Sequence, residues 1–587
     1  MWSQESKFTY ETFRKKHKLI FIFFIFLFIC ISIRLFYLQI IKGNKYKIIA
    51  EKQAFYNIPE FAARGTIYSK DNIILVNDKF SYVILYHSSD NKRHHLRQII
   101  KELKKILKRD IKLIATKKNM NGNTFIKLLD NLTLEEMFKI QEKMENLKGI
   151  FVTKKPHRIY YFPESTSHII GYTNKIRVDE IKYLSRQVYK IEDYVGRCGI
   201  EQTYDKYLRG EDGGWYTKIN AKRNLLKSLK YISPKKGSNI YSTIDLNLQQ
   251  IAYNALKRIG VTVKGAVVVI DVKTGAIRVL VSYPGFDTNK IGHKDFLNSL
   301  NKQNFSFFNR ALQGLYAPGS LFKIITFATI MDTSNINILE KIVECNGSFK
   351  LGNRHYLCWN KHGHGKLNII NAMSRSCNIY FYKLGLDVGI KNLEKYAKKF
   401  YLGQKTGIDL PNEKNGFISN SELKKSKLKI KWHKGDTTIF AIGQGAILVT
   451  PLQMACMIAN IANKGICHTP YIVEKILDST GKEIYKHKIE TNKKIILSNK
   501  TWEFLNKALL ETVEKGTGLK AKLNNIKIAG KTGTAQNSHG KDHGWFISYG
   551  PADNPEIAIA VIVENGGSSG ISAVPIAKKI YETYFNV

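Results

Sequence analysis

A chain of 587 residues is longer than one hydrophobic core normally serves, so two or three domains are expected. Lys and Arg number 92 against 48 Asp and Glu, a net charge of +44, yet the basic residues are spread along a chain rich in Lys, Asn and Ile. With no zinc-finger, RNA-binding or helix-turn-helix pattern, that spread reads as composition bias and argues against a nucleic-acid partner. Seven cysteines, widely scattered, exclude a disulfide scaffold.

The first element is an apolar run over residues 19–33, LIFIFFIFLFICISI, followed by Arg34 and a second run over 35–41. Fifteen helical residues cover only about 22 Å, short of a hydrocarbon core of about 30 Å. Residues 19–41 together suffice, with Arg34 snorkelling to the headgroups. A cleavable signal peptide would carry a shorter apolar region and a small-x-small site. Gln39-Ile-Ile-Lys42 follows instead, so an uncleaved anchor is expected. Arg14, Lys15, Lys16 and Lys18 place residues 1–18 in the cytoplasm as a short tail, although Lys42, Lys45 and Lys47 blur that rule. The remainder is expected to be soluble and extracytoplasmic.

Residues 42–240 read as mixed structure. The stretch 96–109, LRQIIKELKKILKR, has apolar positions at helical spacing, and 73–76 and 82–86 read as short strands. No catalytic constellation stands out there, so a non-catalytic spacer or docking domain is expected. From residue 241 the texture changes. YSTIDLNLQQIAYNAL reads as a strand entering a helix, and residues 265–282 as a hairpin turning at Lys273-Thr-Gly275. Residues 543–564 give two more strands joined by Pro551-Ala-Asp-Asn-Pro555. Strands at both ends with helical segments between them predict one domain, over 241–587, built on an antiparallel sheet.

Three short motifs lie in this region. Pro318-Gly319-Ser320-Leu321-Phe322-Lys323 precedes the apolar IITFATIMD, so Ser320 falls in the first turn of a buried helix. Lys323 then shares its face, and a buried lysine can serve as base for a weakly nucleophilic hydroxyl. Ser376-Cys377-Asn378 offers a hydroxyl that can relay a proton and an amide that can bind a substrate backbone. Lys531-Thr532-Gly533-Thr534 suits a strand edge. Its cation and hydroxyls fit a carboxylate, Gly533 permits close approach, and the Thr534 N–H with that of Ser320 can form an oxyanion hole. The other K-T-G, at Lys273, precedes any S-x-x-K and reads as a plain turn. Each motif alone is weak. In this order, about 56 and then about 155 residues apart, they match the pattern of penicillin-binding proteins and class A β-lactamases.

Over nearly its whole length the chain resembles the class B penicillin-binding proteins, specifically the elongation-type peptidoglycan D,D-transpeptidases. Arg64-Gly65-Thr66-Ile67, Arg158-Ile-Tyr-Tyr-Phe-Pro163, His168-Ile-Ile-Gly-Tyr172 and Gly199-Ile-Glu201 are similar to the family's pedestal motifs. Asn309-Arg310-Ala311 and Tyr316-Ala-Pro-Gly-Ser320 are similar to its approach to the nucleophile. Gly435-Asp436-Thr437, Ile442-Gly-Gln-Gly445 and Thr450-Pro451-Leu-Gln-Met454 resemble the elongation enzyme more than its septal relative. The resemblance implies an α+β architecture: a single N-terminal transmembrane helix, an elongated mixed pedestal of the dimerisation type over 42–240, and a transpeptidase domain with an antiparallel sheet flanked by helices.

It also implies a mechanism. Ser320 would attack the D-Ala-D-Ala carbonyl of a stem peptide, with Lys323 as base, Ser376 as shuttle, and Lys531 and Thr532 on the carboxylate. A neighbouring amine would resolve the acyl-enzyme, and β-lactams would inhibit it. The family commonly has Asp where Asn378 stands, which leaves the contacts made there open. No glycosyltransferase module lies between anchor and pedestal, so a membrane-embedded glycan polymerase and other elongation proteins are expected partners.

Cys345, Cys358, His364 and Cys377 fall at C-x12-C-x5-H-x12-C. Three thiolates and an imidazole suit a closed tetrahedral Zn²⁺ site of structural role, while the acyl-transfer chemistry itself needs no cofactor. A disulfide between two of the thiols, or plain core filling, are the alternatives. Some elongation-type members resemble this with carboxylates, His and Cys at the matching positions. His355 and His362 read as solvated, and Cys198, Cys456 and Cys467 as structural. The competing functions are a septal transpeptidase, a membrane-anchored serine β-lactamase and a β-lactam sensor. The anchor and long pedestal argue against the hydrolase, and the short tail against the sensor.

Overall fold

The computed structural model describes all residues except 1, 45, 47–54, 88–92, 109–124, 144–146, 148–149, 178, 181–188, 190–192, 220–224, 261, 293–304, 335–337, 420–430, 492 and 538–539. It divides into two compact units. One comprises residues 1–62, 80–156 and 211–235, the other 63–79, 157–210 and 236–587.

In the first unit, one helix runs over Trp2–Phe36 and ends in a single wider turn, Tyr37–Ile41. The window His17–Ile41 is long and apolar enough to cross a membrane, and among the described residues none of it is buried. Arg34 and Lys42 both lie over the Tyr37 ring, at 5.6 and 4.9 Å. A ring flanked by two cations suits the boundary between hydrocarbon and headgroups. The rest of the unit holds a three-stranded antiparallel sheet of Phe55–Glu60, Gly213–Ile219 and Leu225–Ile232. A small core takes Leu96, Ile99 and Leu103 from the helix Arg93–Leu107, the apolar face the periodicity predicts. The two short strands read at 73–76 and 82–86 belong to one strand, Ile74–His87. The polar Asn77-Asp78-Lys79 between them hides that continuity in the sequence.

In the second unit, the segments 63–79 and 157–210 are joined by buried charge. Arg64 bonds Glu201 at 2.6 Å and Asp205 at 2.8 Å, while Arg158 bonds Glu201 at 2.7 Å and Asp78 at 3.0 Å. Arg158 also donates to the Gly65 carbonyl at 2.8 Å. Three of the four pedestal motifs of the sequence thus meet in one network around Glu201, which is wholly buried. Removing one partner strands charge in a low-dielectric interior. Glu201→Ala is therefore expected to cost about 3–5 kcal/mol of unfolding free energy, measured by denaturant titration of the full chain in detergent. The same change at exposed Glu135, paired with Lys139 on a helix surface, leaves the midpoint unmoved.

The larger part of this unit is built on a five-stranded antiparallel sheet. Helix α1 (Leu246–Ile259), capped by Asp245, leads into β1 (Lys264–Asp271) and β2 (Ile277–Tyr283). The turn between the strands is held by the Asp271 carboxylate, which accepts from the Lys273 and Thr274 N–H groups. Helices α2 (Lys323–Thr333), α3 (Asn378–Lys399), α4 (Pro451–Ala462) and α5 (Asn499–Glu514) follow. The chain then returns as β3 (Ala529–Ala535), β4 (His543–Gly550), β5 (Ile557–Glu564) and helix α6 (Ala573–Phe585). The strand order is β2-β1-β5-β4-β3, so β3 is an edge. Alternate residues of one strand serve two cores: Val267 and Val269 pack with α1 and α6, while Ala266, Val268 and Ile270 belong to the larger core, where α4 lies against β1. Nearly continuous apolar strands follow from a sheet covered on both faces.

Candidate active site

Ser320 stands in a tight 3-10 turn, Gly319–Phe322, that runs directly into α2. The sequence predicts a first helical turn; the tighter winding follows from Pro318 and from Gly319, whose φ is +52°. A Cβ on Gly319 would lie 2.5 Å from the Thr534 carbonyl oxygen, so the nucleophile's turn and the third motif touch through backbone. Gly533 is fixed by the same packing, since its Cβ would lie 2.8 Å from Cγ of Leu321. Ser320 itself is half-buried, open to a ligand.

Lys323 is completely buried. Its ammonium donates to the Ser376 carbonyl at 2.8 Å, the Ser376 hydroxyl at 3.3 Å and Asn378 Oδ1 at 2.6 Å. Among the described residues no carboxylate pairs with it. Burial without a counter-ion pushes its pKa down to about 8. Lys531, also fully buried, is held well below the usual lysine range by burial and then by the charge of Lys323. It donates to the Thr532 carbonyl at 3.1 Å. No hydrogen bond joins the Ser320 hydroxyl to Lys323 among the described residues, a common condition in ligand-free sites.

Ser376 sits at φ +52°, a left-handed conformation that costs a serine about 1–3 kcal/mol. The short helix Ile369–Ser374 and α3 hold it there, through Ser376 N–H to Met373 O at 3.1 Å and Cys377 N–H to Ala372 O at 2.8 Å. Asn378 opens α3 and spends its amide twice: Oδ1 accepts from Lys323, and Nδ2 donates to the Leu357 carbonyl at 3.3 Å. Thr532, Gly533 and Thr534 lie on the edge strand β3, with Thr532 buried and the Thr534 side chain exposed.

The sequence singles out Tyr316 and Arg310 only as family-like residues; the structure gives them a task. Glu564, at the end of β5, accepts from Arg310 Nε at 2.9 Å and from the Tyr316 hydroxyl at 2.7 Å. Trp545 Nε1 donates to the Ala317 carbonyl at 3.2 Å. These bonds tie the segment before Ser320 to the sheet. Thr517 is a further residue the sequence reading passed over. Its hydroxyl lies 2.5 Å from that of Thr532, and its N–H donates to the Ser374 carbonyl at 3.1 Å. The only signal was a Gly-Thr-Gly turn after a helix, which carries no chemistry by itself.

The four residues of the C-x12-C-x5-H-x12-C pattern come together. The three thiols and one imidazole nitrogen all lie within 4.8 Å of one another. Nδ1 of His364 is 3.6 Å from Sγ of Cys345 and 3.5 Å from Sγ of Cys358. Zinc bonds of about 2.3 Å to sulfur and about 2.0–2.1 Å to nitrogen, at tetrahedral angles, separate such atoms by about 3.6 Å. The donor set and its spacing therefore fit that ion. Hydrogen-bonded to the Cys377 thiol, Cys358 is held well below the usual thiol range and Cys377 correspondingly above it, so the two sulfurs share one proton. Nε2 of His364 is buried with no partner among the described residues. His355 and His362 are exposed and outside the group. Cys377 belongs at once to this cluster and to the second motif.

Comparison with known proteins follows this geometry. Residues 265–582 match the penicillin binding protein transpeptidase domain, and 59–242 the penicillin-binding protein dimerisation domain. The peptidoglycan D,D-transpeptidase MrdA of Acinetobacter baumannii is 32% identical over 574 residues, covering 93% of this chain and 84% of that protein. MrdA of Escherichia coli K12 is 29% identical over 567 residues, covering 91% and 88%. Penicillin-binding protein 2 of Helicobacter pylori, solved in complex with MreC, superposes with a TM-score of 0.78 at 25% identity over 91% of this chain and 99% of that one. The Pseudomonas aeruginosa protein, solved with WCK 5153, gives 0.67 at 27% identity, covering 90% and 96%. With both domains matched and the MrdA proteins spanning its length, the chain belongs to the class B penicillin-binding proteins, among the elongation-type peptidoglycan D,D-transpeptidases.

Proposed function

We propose that Ser320 is the nucleophile of a D,D-transpeptidation that cross-links stem peptides during cell elongation, and that Lys323 is its base. The observation that carries this reading is the buried Lys323 ammonium, whose hydrogen-bond partners among the described residues are neutral groups of the second motif. Ser320 Oγ attacks the carbonyl of the penultimate D-alanine, and its proton passes to Lys323 Nζ. The tetrahedral oxyanion sits against the N–H groups of Ser320 and Thr534. Collapse breaks the peptide bond, and Ser376 relays a proton from Lys323 to the departing D-alanine amine. Lys531 and Thr532 hold the terminal carboxylate, and Asn378 holds the peptide backbone. An acceptor amine then attacks the ester and regenerates Ser320. A β-lactam enters the same first step and stays, because the ring nitrogen expelled from the carbonyl remains tethered and blocks an acceptor from reaching the Ser320 ester.

Two expectations test this reading. Only the neutral lysine accepts a proton, so acylation by a penicillin should rise with pH through about 8 and level off above it. A flat profile from about pH 6 to about pH 9 would contradict the assignment of Lys323. Stem pentapeptide should release D-alanine and give cross-linked product, with a penicillin adduct that persists. Rapid turnover of the penicillin would favour the β-lactamase alternative.

Cys345, Cys358, His364 and Cys377 are inferred to hold a structural Zn²⁺, whose contribution is to clamp the loop carrying Ser376 and Asn378. We further infer a single-pass anchor with the catalytic domain outside the cytoplasm. Membrane-embedded partners are inferred by likeness to relatives solved with MreC and in a peptidoglycan synthase complex.

A further inference from the structure

The third motif contains a hydroxyl whose direction matters. Thr532 lies beside Lys531 on the edge strand and is almost wholly buried. A carboxylate only accepts hydrogen bonds, and a threonine hydroxyl has one proton to give. Thr532 can serve a carboxylate only if that proton points at the ligand, a direction that a donor to its own oxygen enforces.

Thr517 is placed to be that donor. It follows α5 in the turn before β3 and is half-buried. Its hydroxyl has two neighbours: the Ser374 carbonyl at 3.5 Å and the Thr532 hydroxyl at 2.5 Å. The first is at the limit of a hydrogen bond; the second is a close hydroxyl pair in which either oxygen can donate. Once a carboxylate takes the Thr532 proton, only the Thr517 proton remains to complete that pair. The Ser374 carbonyl is already served by the Thr517 N–H at 3.1 Å. That bond fixes Thr517 against the segment two residues before Ser376. One side chain thus spans the second and third motifs.

We propose that Thr517 is a positioning residue that donates to Thr532 and so aims the Thr532 proton at the substrate carboxylate. This rests on the reading of Lys531 and Thr532 as the carboxylate site. A valine at 517 keeps the shape, removes the donor, and lets the Thr532 hydroxyl swing.

The test uses the full chain in detergent with two versions of one thioester stem analogue, the first with a free terminal carboxylate and the second with that carboxylate as a primary amide. Thr517→Val should lower kcat/KM for the carboxylate form roughly tenfold and leave the amide form unchanged, while Thr517→Ser restores the wild-type value. Thr532→Ala should lower the carboxylate form at least as much, and Thr517→Val should add nothing on that background. If Thr517→Val fails to fold, Thr517→Ala removes the same donor without a methyl against Thr532. Equal losses on both analogues, no loss on either, or additivity with Thr532→Ala overturns the proposal. If Thr532→Ala itself leaves the preference for the carboxylate intact, the carboxylate-site reading falls and takes the proposal with it.

Discussion

Lys323→Ala should lower the second-order rate constant for acylation by a penicillin about 10³-fold, with the fold and the Ser320 hydroxyl intact. Positioned proton transfer contributes about 10²–10⁴-fold, and this lysine has no substitute within the site. Among the described residues Lys531 is the other fully buried lysine, and its ammonium is committed to the Thr532 carbonyl. Lys323→Arg should fail almost as fully, because a guanidinium does not give up its proton near neutral pH. Substitution also releases the Ser376 carbonyl and Asn378 Oδ1 from their shared donor, so the second motif loosens. Stopped-flow acylation across pH separates the two effects. Loss of a base abolishes the rise through about pH 8, whereas loosening alone lowers the rate at every pH.

Cys358→Ser should empty the proposed zinc site. The purified wild-type chain should carry about one zinc per molecule and the variant close to none, by elemental analysis. Structural zinc contributes folding free energy directly, so the variant should lose several kcal/mol of stability. Acylation should fall as well, because Cys377 lies between Ser376 and Asn378, and Ser376 needs its neighbours to hold a left-handed backbone. Equal zinc in both proteins would remove the ion from the account and leave a thiol cluster that packs the loop. His355→Ala, exposed and outside the cluster, should change neither zinc nor rate.

What could be read from the sequence was local or chemically rare. Ser320 and Lys323 sit one helical turn apart before an apolar run, and both pattern and context lie within about fifteen residues. Cysteine and histidine are scarce enough that four of them at regular spacing stand out, and the fold brings them within 4.8 Å. The sheet was visible at both ends because alternate residues of β1, β4 and β5 serve two different cores. The Glu201 network could not be read. Arg64, Arg158 and Glu201 stand out in the sequence only by resemblance, Asp78 and Asp205 not at all, and nothing pairs them until folding buries them together. Glu564 and Thr517 were silent for the same reason: their partners are 254, 248 and 15 residues away, and their types are common. The strand Ile74–His87 was split by a polar centre because Asp78 faces two buried arginine-bearing segments rather than water.

The central claim is that Ser320 forms the covalent acyl-enzyme. Intact-mass and peptide mapping of the full chain after brief exposure to benzylpenicillin tests it most directly. A single, long-lived adduct is expected on the peptide containing Ser320, absent from Ser320→Ala. An adduct on another residue, or one that persists in Ser320→Ala, would contradict it.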